Sequence, residues 1–240
     1  ENSIESVFEI QYTDVEGAGF GCLQCSEGNV AIGFNGPRNF NGPLFESGFS
    51  FNVPTQEVFD AFDQDDARRE FAILDIVAFA QANTDFNGGA GVTFTEGFEH
   101  TGYFNRKYIP RVGDTNIGDQ NLTNPGNYRA IRFADVLLMG AEAHNQGDGN
   151  DALAREYLNR VRERTTLSDV NASGSALTQA IYNERRLELV GEGHHFFDLV
   201  RTGRAAQEIE GFTAGKNELF PIPLVEIQLA GNRWLQNPGY

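Results

Sequence analysis

Lysine is almost missing from this chain: of its 18 basic residues only Lys107 and Lys216 are lysine, and all the others are arginine. Against them stand 34 acidic residues, for a net charge of −16. A surface so negative repels phosphate backbones and anionic bilayers, which argues against nucleic acid or a membrane surface as partner. Salt screens the self-repulsion of such a surface, so a halophilic source is one reading of it and ordinary variation the other. No apolar run approaches the roughly 18 residues of a membrane helix; residues 71–82 come nearest and carry Asp75. Residues 1–6, ENSIES, have neither the basic nor the apolar stretch of a signal peptide.

Cysteine is as scarce as lysine. Cys22 and Cys25 are the one pair, and a zinc site would need two further ligands at matching spacing, with none of the four histidines nearby. A redox C-x-x-C opens a helix in a βαβ unit, which the glycine-rich residues 17–21 do not suggest. A structural role remains, as a local disulfide or as two thiols. Asp63, Asp65 and Asp66 invite a calcium loop, but Arg68 falls where the loop needs Gly and Leu74 where it needs Glu. An Asp65 or Asp66 pair with Arg68 or Arg69 in a turn is the expectation. Residues 17–21 also depart from G-x-G-x-x-G, so no nucleotide site is expected. No cofactor, metal site or catalytic residue follows from the spacing.

What the chain has in excess is phenylalanine, 20 residues against 7 Tyr and one Trp, and glycine, 27 residues, 15 of them in the first half. At 240 residues there is length for a substantial core. Residues 17–52 and 83–127 mix Gly, Asn and Phe and read as loops. Residues 4–12 read as a strand or a short helix leading into one. Thr55 is a candidate N-cap for a helix bearing Val58, Phe59 and Phe62 on one face. Residues 71–82 fit a buried strand or a helix equally. From residue 128 the pattern changes: Ala134, Leu137, Leu138 and Ala141 recur at helical spacing, as do Leu153, Tyr157, Leu158 and Val161. Residues 147–150 form a short connection between them, and residues 176–190 a third helix. The expected class is mainly α with long loops and few short strands. Its helix pairs pack against a loop-rich region, 1–127 and 128–240 together making one folded unit.

Within the third helix, Glu184, Glu188 and Glu192 fall four apart beside Arg185 and Arg186, and HHFFDLVR (194–201) starts another helix after Gly191 and Gly193. This spacing predicts an ionic network against a core, with a glutamate paired to an arginine and Asp198 and Arg201 taking part, rather than a catalytic centre or a metal site at His194, His195 and Asp198. ERRLELVGEGHHFFDLVRTGR (184–204) resembles the C-terminal signature of the SusD/RagB family, the nutrient-binding outer-membrane lipoproteins of Bacteroidetes-type bacteria. IESVFEIQY (4–12), VPTQEVFDAFDQDDARR (53–69), GYFNRKY (102–108), YRAIRFADVLLMGAEAHNQG (128–147), DALAREYLNRVRER (151–164), FPIPLVEI (220–227) and QNPGY (236–240) follow that family's pattern in order. The resemblance implies tetratricopeptide-type helix pairs in the C-terminal part of such a protein. It also implies that the signal, the lipidated cysteine and the N-terminal helices of a family member lie outside this chain.

The implied function is non-enzymatic binding of an oligosaccharide or other nutrient at the cell surface, for uptake through a TonB-dependent SusC-like transporter. Ring faces stack on the C–H side of a sugar while amides, guanidinium groups and carboxylates bind its hydroxyls. The loops around residues 34–51 and 85–104 supply both and are expected to lie together. Arg38, Asn39, Phe40, Phe45, Tyr103 and Phe104 are the candidate ligand-binding residues, on condition that some of these rings are exposed; buried rings would be loop anchors. The scarcity of Tyr and Trp, whose polar edges suit sugars, leaves peptides and other polymer fragments open as ligands, and Trp234 is expected to pack. Two alternatives stand beside this reading: an exported glycoside hydrolase with an unrecognised carboxylate pair, and a helical-repeat scaffold binding only protein.

Overall fold

The computed structural model describes residues 3–15, 19–22, 27–114, 122–231 and 233–240. By its internal contacts the chain forms two compact units, Glu1–Gly191 and Glu192–Tyr240. Along the first run β1 (Ser6–Ile10), α1 (Val30–Phe34), β2 (Arg38–Asn41), α2 (Gln56–Asp60), α3 (Arg68–Ala72), β3 (Ile73–Asp75), α4 (Ile76–Ala82), α5 (Phe86–Gly89), β4 (Thr93–Thr95), β5 (Tyr103–Asn105), β6 (Tyr128–Arg132), α6 (Phe133–Ala143), α7 (Asp151–Arg162) and α8 (Gly174–Glu188). The second carries α9 (His195–Arg201), α10 (Ala205–Glu208) and α11 (Leu224–Leu229). The class is mainly α with short strands, as the periodicity predicts. The division falls after Gly191 and not at residue 127, because β1 pairs antiparallel with β6 across that point, Ser6 opposite Arg132 and Ile10 opposite Tyr128.

The helical core is built from the spacing legible in the sequence. Ala134, Leu137, Leu138 and Ala141 of α6 pack with Ala154, Leu158 and Val161 of α7 and with Leu177 and Ile181 of α8. Alanines at 141 and 154 keep the helices close, and Gly140 lets the Tyr157 ring lie on α6, since a Cβ there would sit 2.9 Å from that ring. Full burial of a leucine or isoleucine such as Leu138, Leu158 or Ile181 contributes about 1.5–3 kcal/mol each. Asn150 caps α7, its Oδ1 accepting from the Leu153 N–H at 3.2 Å. Asp151 in the first turn and Arg160 and Arg162 in the last match the helix dipole.

Residues 71–82 prove to be both structures between which their apolar pattern could not decide. Chain direction changes at Asp75: β3 ends there, and its Oδ1 caps α4 by accepting from the N–H groups of Val77 (3.0 Å) and Ala78 (2.9 Å). β3 pairs antiparallel with β5, Leu74 opposite Phe104. Thr55 caps α2 as expected, accepting from the Val58 N–H at 3.3 Å.

In the second unit the closing QNPGY folds back on residues 219–222. Gln236 both accepts from Ile222 N–H (2.7 Å) and donates to its carbonyl (2.8 Å), Asn237 donates to the Phe220 carbonyl (2.6 Å), and the Tyr240 hydroxyl donates to the Leu219 carbonyl (3.0 Å). These polar side chains hold the segment, and Trp234 is 54% exposed rather than packed.

Candidate functional site

The two Phe- and Asn-rich loops meet, as their composition suggests, through a strand pair. β2 runs antiparallel to β4, with Arg38 opposite Thr95 and Asn41 opposite Thr93. The register shifts between those pairs, and Asn39 there takes φ 50°, a left-handed conformation that asparagine tolerates better than most residues. Its side chain donates to Thr95 Oγ1 at 3.1 Å. The Arg38 guanidinium donates to the Phe49 carbonyl at 2.9 Å and lies 5.8 Å from the Phe49 ring centroid. Both side chains are exposed, together with Asn41, Thr93 and Thr95. The result is a strip of guanidinium, amide and hydroxyl groups facing solvent.

The four rings assigned to ligand contact are elsewhere. Phe40, Phe45, Tyr103 and Phe104 are 9%, 2%, 8% and 0% exposed. Phe40, Phe45 and Phe104 form one core with Leu74, Ile76 and Ile109, and the Phe79 ring lies 6.2 Å from Phe40 and 5.5 Å from Phe45. Tyr103 stacks on Phe59 at 4.3 Å and its hydroxyl donates to Gln56 at 3.1 Å. These rings anchor loops, and the reason is local: Tyr103 and Phe104 sit in β5, paired with β3, and pack into the same cores as its Ile73 and Leu74. The exposed rings nearby are Phe51 (57%) and Phe98 (91%). Each is next in sequence to one side of a close contact, Ser50 against Gly97, where a Cβ on Gly97 would come within 2.9 Å of the serine. Both lay in the loops read as aromatic, but ring count alone does not separate a core phenylalanine from a surface one.

The glutamates of α8 form the ionic network predicted from their spacing. Glu184 is held by Arg68 and by Arg162 Nη1 (2.7 Å), and Glu188 by Arg68 (3.0 Å), Arg132 (3.0 Å) and Arg164 (2.7 Å). Asp66 completes the Arg68 fork at 2.7 Å, and Arg185 pairs with Asp135 at 2.7 Å. Asp198 and Arg201 pair with one another in the second unit at 2.8 Å. Burial pushes the Glu188 carboxyl up, but Arg164, Arg132 and Arg68 outweigh it, so its pKa lies below the usual 4.5. Burial likewise acts to lower the Arg68 pKa, and Asp66, Glu184 and Glu188 raise it above its ordinary value. Each carboxylate is held by two or three arginines, which is the arrangement of a structural ionic cluster. Among the described residues no group of three or more His, Cys, Asp or Glu side chains is placed to hold a metal ion. Cys22 is disulfide-bonded; Cys25 lies outside the described residues.

The family model for the SusD family matches residues 5–218. The chain belongs to the SusD family. Among curated relatives, SusD-like protein P2 of Formosa agariphila is 29% identical over 217 residues, covering 82% of this chain and 41% of that protein. SusD-like protein P25 of the same organism is 30% identical over 205 residues, covering 79% and 34%. Among solved structures, a laminarin binding SusD-like protein superposes with a TM-score of 0.87 at 40% identity, over 100% of this chain and 51% of that one. Surface glycan-binding protein A from Bacteroides thetaiotaomicron, in complex with laminarihexaose, gives 0.85 at 28% identity, over 98% and 52%. The chain thus spans about half the length of these SusD-family structures and less of the curated relatives. As a SusD-family chain it is similar to proteins named for glycan binding, and no helix among its described residues is long and apolar enough to cross a membrane.

Proposed function

We propose that this chain is part of a non-catalytic, surface-exposed outer-membrane lipoprotein that captures an oligosaccharide and passes it to a TonB-dependent SusC-like transporter. The observation that carries the reading is the likeness, over the whole chain, to a laminarin binding SusD-like protein. A β-1,3-glucan is therefore the first ligand to test. The ligand contacts we assign are Arg38 and Asn39 on the β2–β4 strip, with the exposed faces of Phe51 and Phe98 in place of the four buried rings. A phenyl face offers a sugar its apolar C–H contact, and the guanidinium, amide and threonine groups offer fixed donors and acceptors to hydroxyls. The hydrolase alternative has less support, because Glu184 and Glu188, four apart on α8, are both held by arginines.

Isothermal titration with laminarihexaose tests this reading. Saturable heat is expected, without release of shorter sugars on prolonged incubation. Cleavage products would assign an enzyme instead. No heat with laminarihexaose or with other neutral glycans would remove the neutral-glycan reading for this chain. Co-purification of the full-length protein with a large barrel from the outer membrane is the corresponding expectation for the transporter.

A further inference from the structure

A second polar cleft lies within the first unit, and its lining shares no residue with the β2–β4 strip. It has a volume of about 410 Å³ and is lined from residues 107–114 and 124–129, with Ile32 as an apolar wall. Its cations are Lys107, Arg111 and Arg129, against one carboxylate, Asp114. That excess of positive charge is unusual in a chain whose net charge is −16. The Lys107 ammonium is committed, donating to the Glu188 carbonyl at 2.8 Å. The two arginines differ from those of the ionic cluster. Neither the Arg111 nor the Arg129 guanidinium forms an ion pair or hydrogen bond with a described residue; Arg111 lies only against the Phe45 ring, at 5.9 Å. Asp114 accepts from the Arg111 backbone N–H at 3.0 Å, and Glu9, opposite Arg129 in the β1–β6 ladder, accepts from Asn127.

A buried amide lines the same cleft as this pair. Asn124 is 1% exposed and lines the cleft. Its Oδ1 accepts from the Gly126 N–H at 2.8 Å, while its Nδ2 has no hydrogen-bond partner among the described residues. Leaving a buried donor unmet is costly, so native proteins seldom retain one without a use for it. Two unpaired guanidinium groups and one unpaired amide donor share a requirement, a group with several acceptor oxygens and negative charge. Arginine forks match the planar carboxylate and the sulfate in this respect.

We infer that this cleft is a subsite for an oxyanion carried on a sugar, the carboxylate of a uronic acid or a sulfate ester, bound by Arg111, Arg129 and Asn124 Nδ2. The inference rests on the glycan-binding reading for its choice of carrier, and it extends the ligand from neutral to acidic glycans. Binding involves no bond making. The anion exchanges its water shell for the three donors, and Tyr108 and Ile32 supply the less polar walls.

The test compares laminarihexaose with an oligoglucuronate and with a sulfated oligosaccharide by isothermal titration, on the whole chain and on its Arg111→Gln, Arg129→Gln and doubly substituted variants. The acidic oligosaccharides are expected to bind more tightly than the neutral one, with roughly tenfold loss for each arginine removed. Laminarihexaose affinity is expected to stay within twofold across all the variants. In a ¹⁵N-labelled sample the Asn124 side-chain amide resonances should shift on adding glucuronate or inorganic sulfate and stay unmoved with glucose. The two acidic arms also decide whether carboxylate or sulfate is preferred. Acidic oligosaccharides that bind no better than laminarihexaose, or equally well to the double variant, would overturn the inference while leaving the neutral-glycan reading in place. Arginine-dependent binding of an acidic sugar without any binding of laminarihexaose would do the reverse. Unchanged melting temperatures in the variants exclude misfolding as the source of a loss.

Discussion

Replacing Phe104 by alanine removes a ring with no exposed surface from a core shared with Phe40, Phe45 and Ile76. A loss of about 3–5 kcal/mol in unfolding free energy is expected, measured by denaturant titration. Phe51→Ala and Phe98→Ala should behave oppositely. Both rings face solvent, so stability should move by no more than about 0.5 kcal/mol, while laminarihexaose affinity should fall several-fold if they contact the sugar. A stability loss in Phe98→Ala comparable to that of Phe104→Ala would return it to the core. The contrast marks the limit of sequence reading for phenylalanine: the same residue type, in the same loop chemistry, serves core and surface. Arg38 and Asn39, read from the sequence as candidate ligand contacts, are exposed, as suits a charge and a polar amide that are costly to bury.

At the scale of the element, α8 is the most informative helix. Its Glu184–Glu188 spacing was readable from sequence, and so was its partnership with arginine. Which arginines was not, since Arg68, Arg132, Arg162 and Arg164 come from α3, β6, α7 and the turn after it. Removing Glu188 by Glu188→Ala would leave buried cations without their counter-charge, and a cost of about 3–5 kcal/mol is expected. The pH dependence follows from the sign of the shift. A carboxyl whose folded pKa is depressed stabilises the fold at pH values above its unfolded value, and that stabilisation is lost as pH falls through the folded one. The stability difference between the chain and its Glu188→Gln variant should therefore be full at pH 6 and shrink as the pH drops below the usual 4.5. A difference that stays constant down to pH 3 would show that the fold does not depress the Glu188 pKa. For α7, Asn150→Ala should cost about 1 kcal/mol through loss of its cap, read as a lower denaturation midpoint.

For the whole molecule, the charge of −16 makes a prediction of its own. Self-repulsion among exposed carboxylates is screened within a Debye length of about 10 Å at 0.1 M salt, whereas the buried pairs around Glu184 and Glu188 are screened far less. Raising sodium chloride from about 0.05 M to about 0.5 M should raise the melting temperature in scanning calorimetry; a fall would mean that surface ion pairs outweigh the repulsion. Much at this scale was written in the sequence. Periodicity 3.6 in residues 134–161 determined a helix pair, because a helix with one apolar face must bury it against another. The eight ordered segments determined the family. Tertiary structure alone decided three things: that Asp75 divides residues 73–82 into a strand and a helix, that the first unit runs to Gly191, and which rings of the loops are exposed. Each depends on what packs from distant parts of the chain. β5 covers β3, β1 joins β6, and Gly97 meets Ser50, and no local pattern of apolar and polar residues records contacts made across such separations.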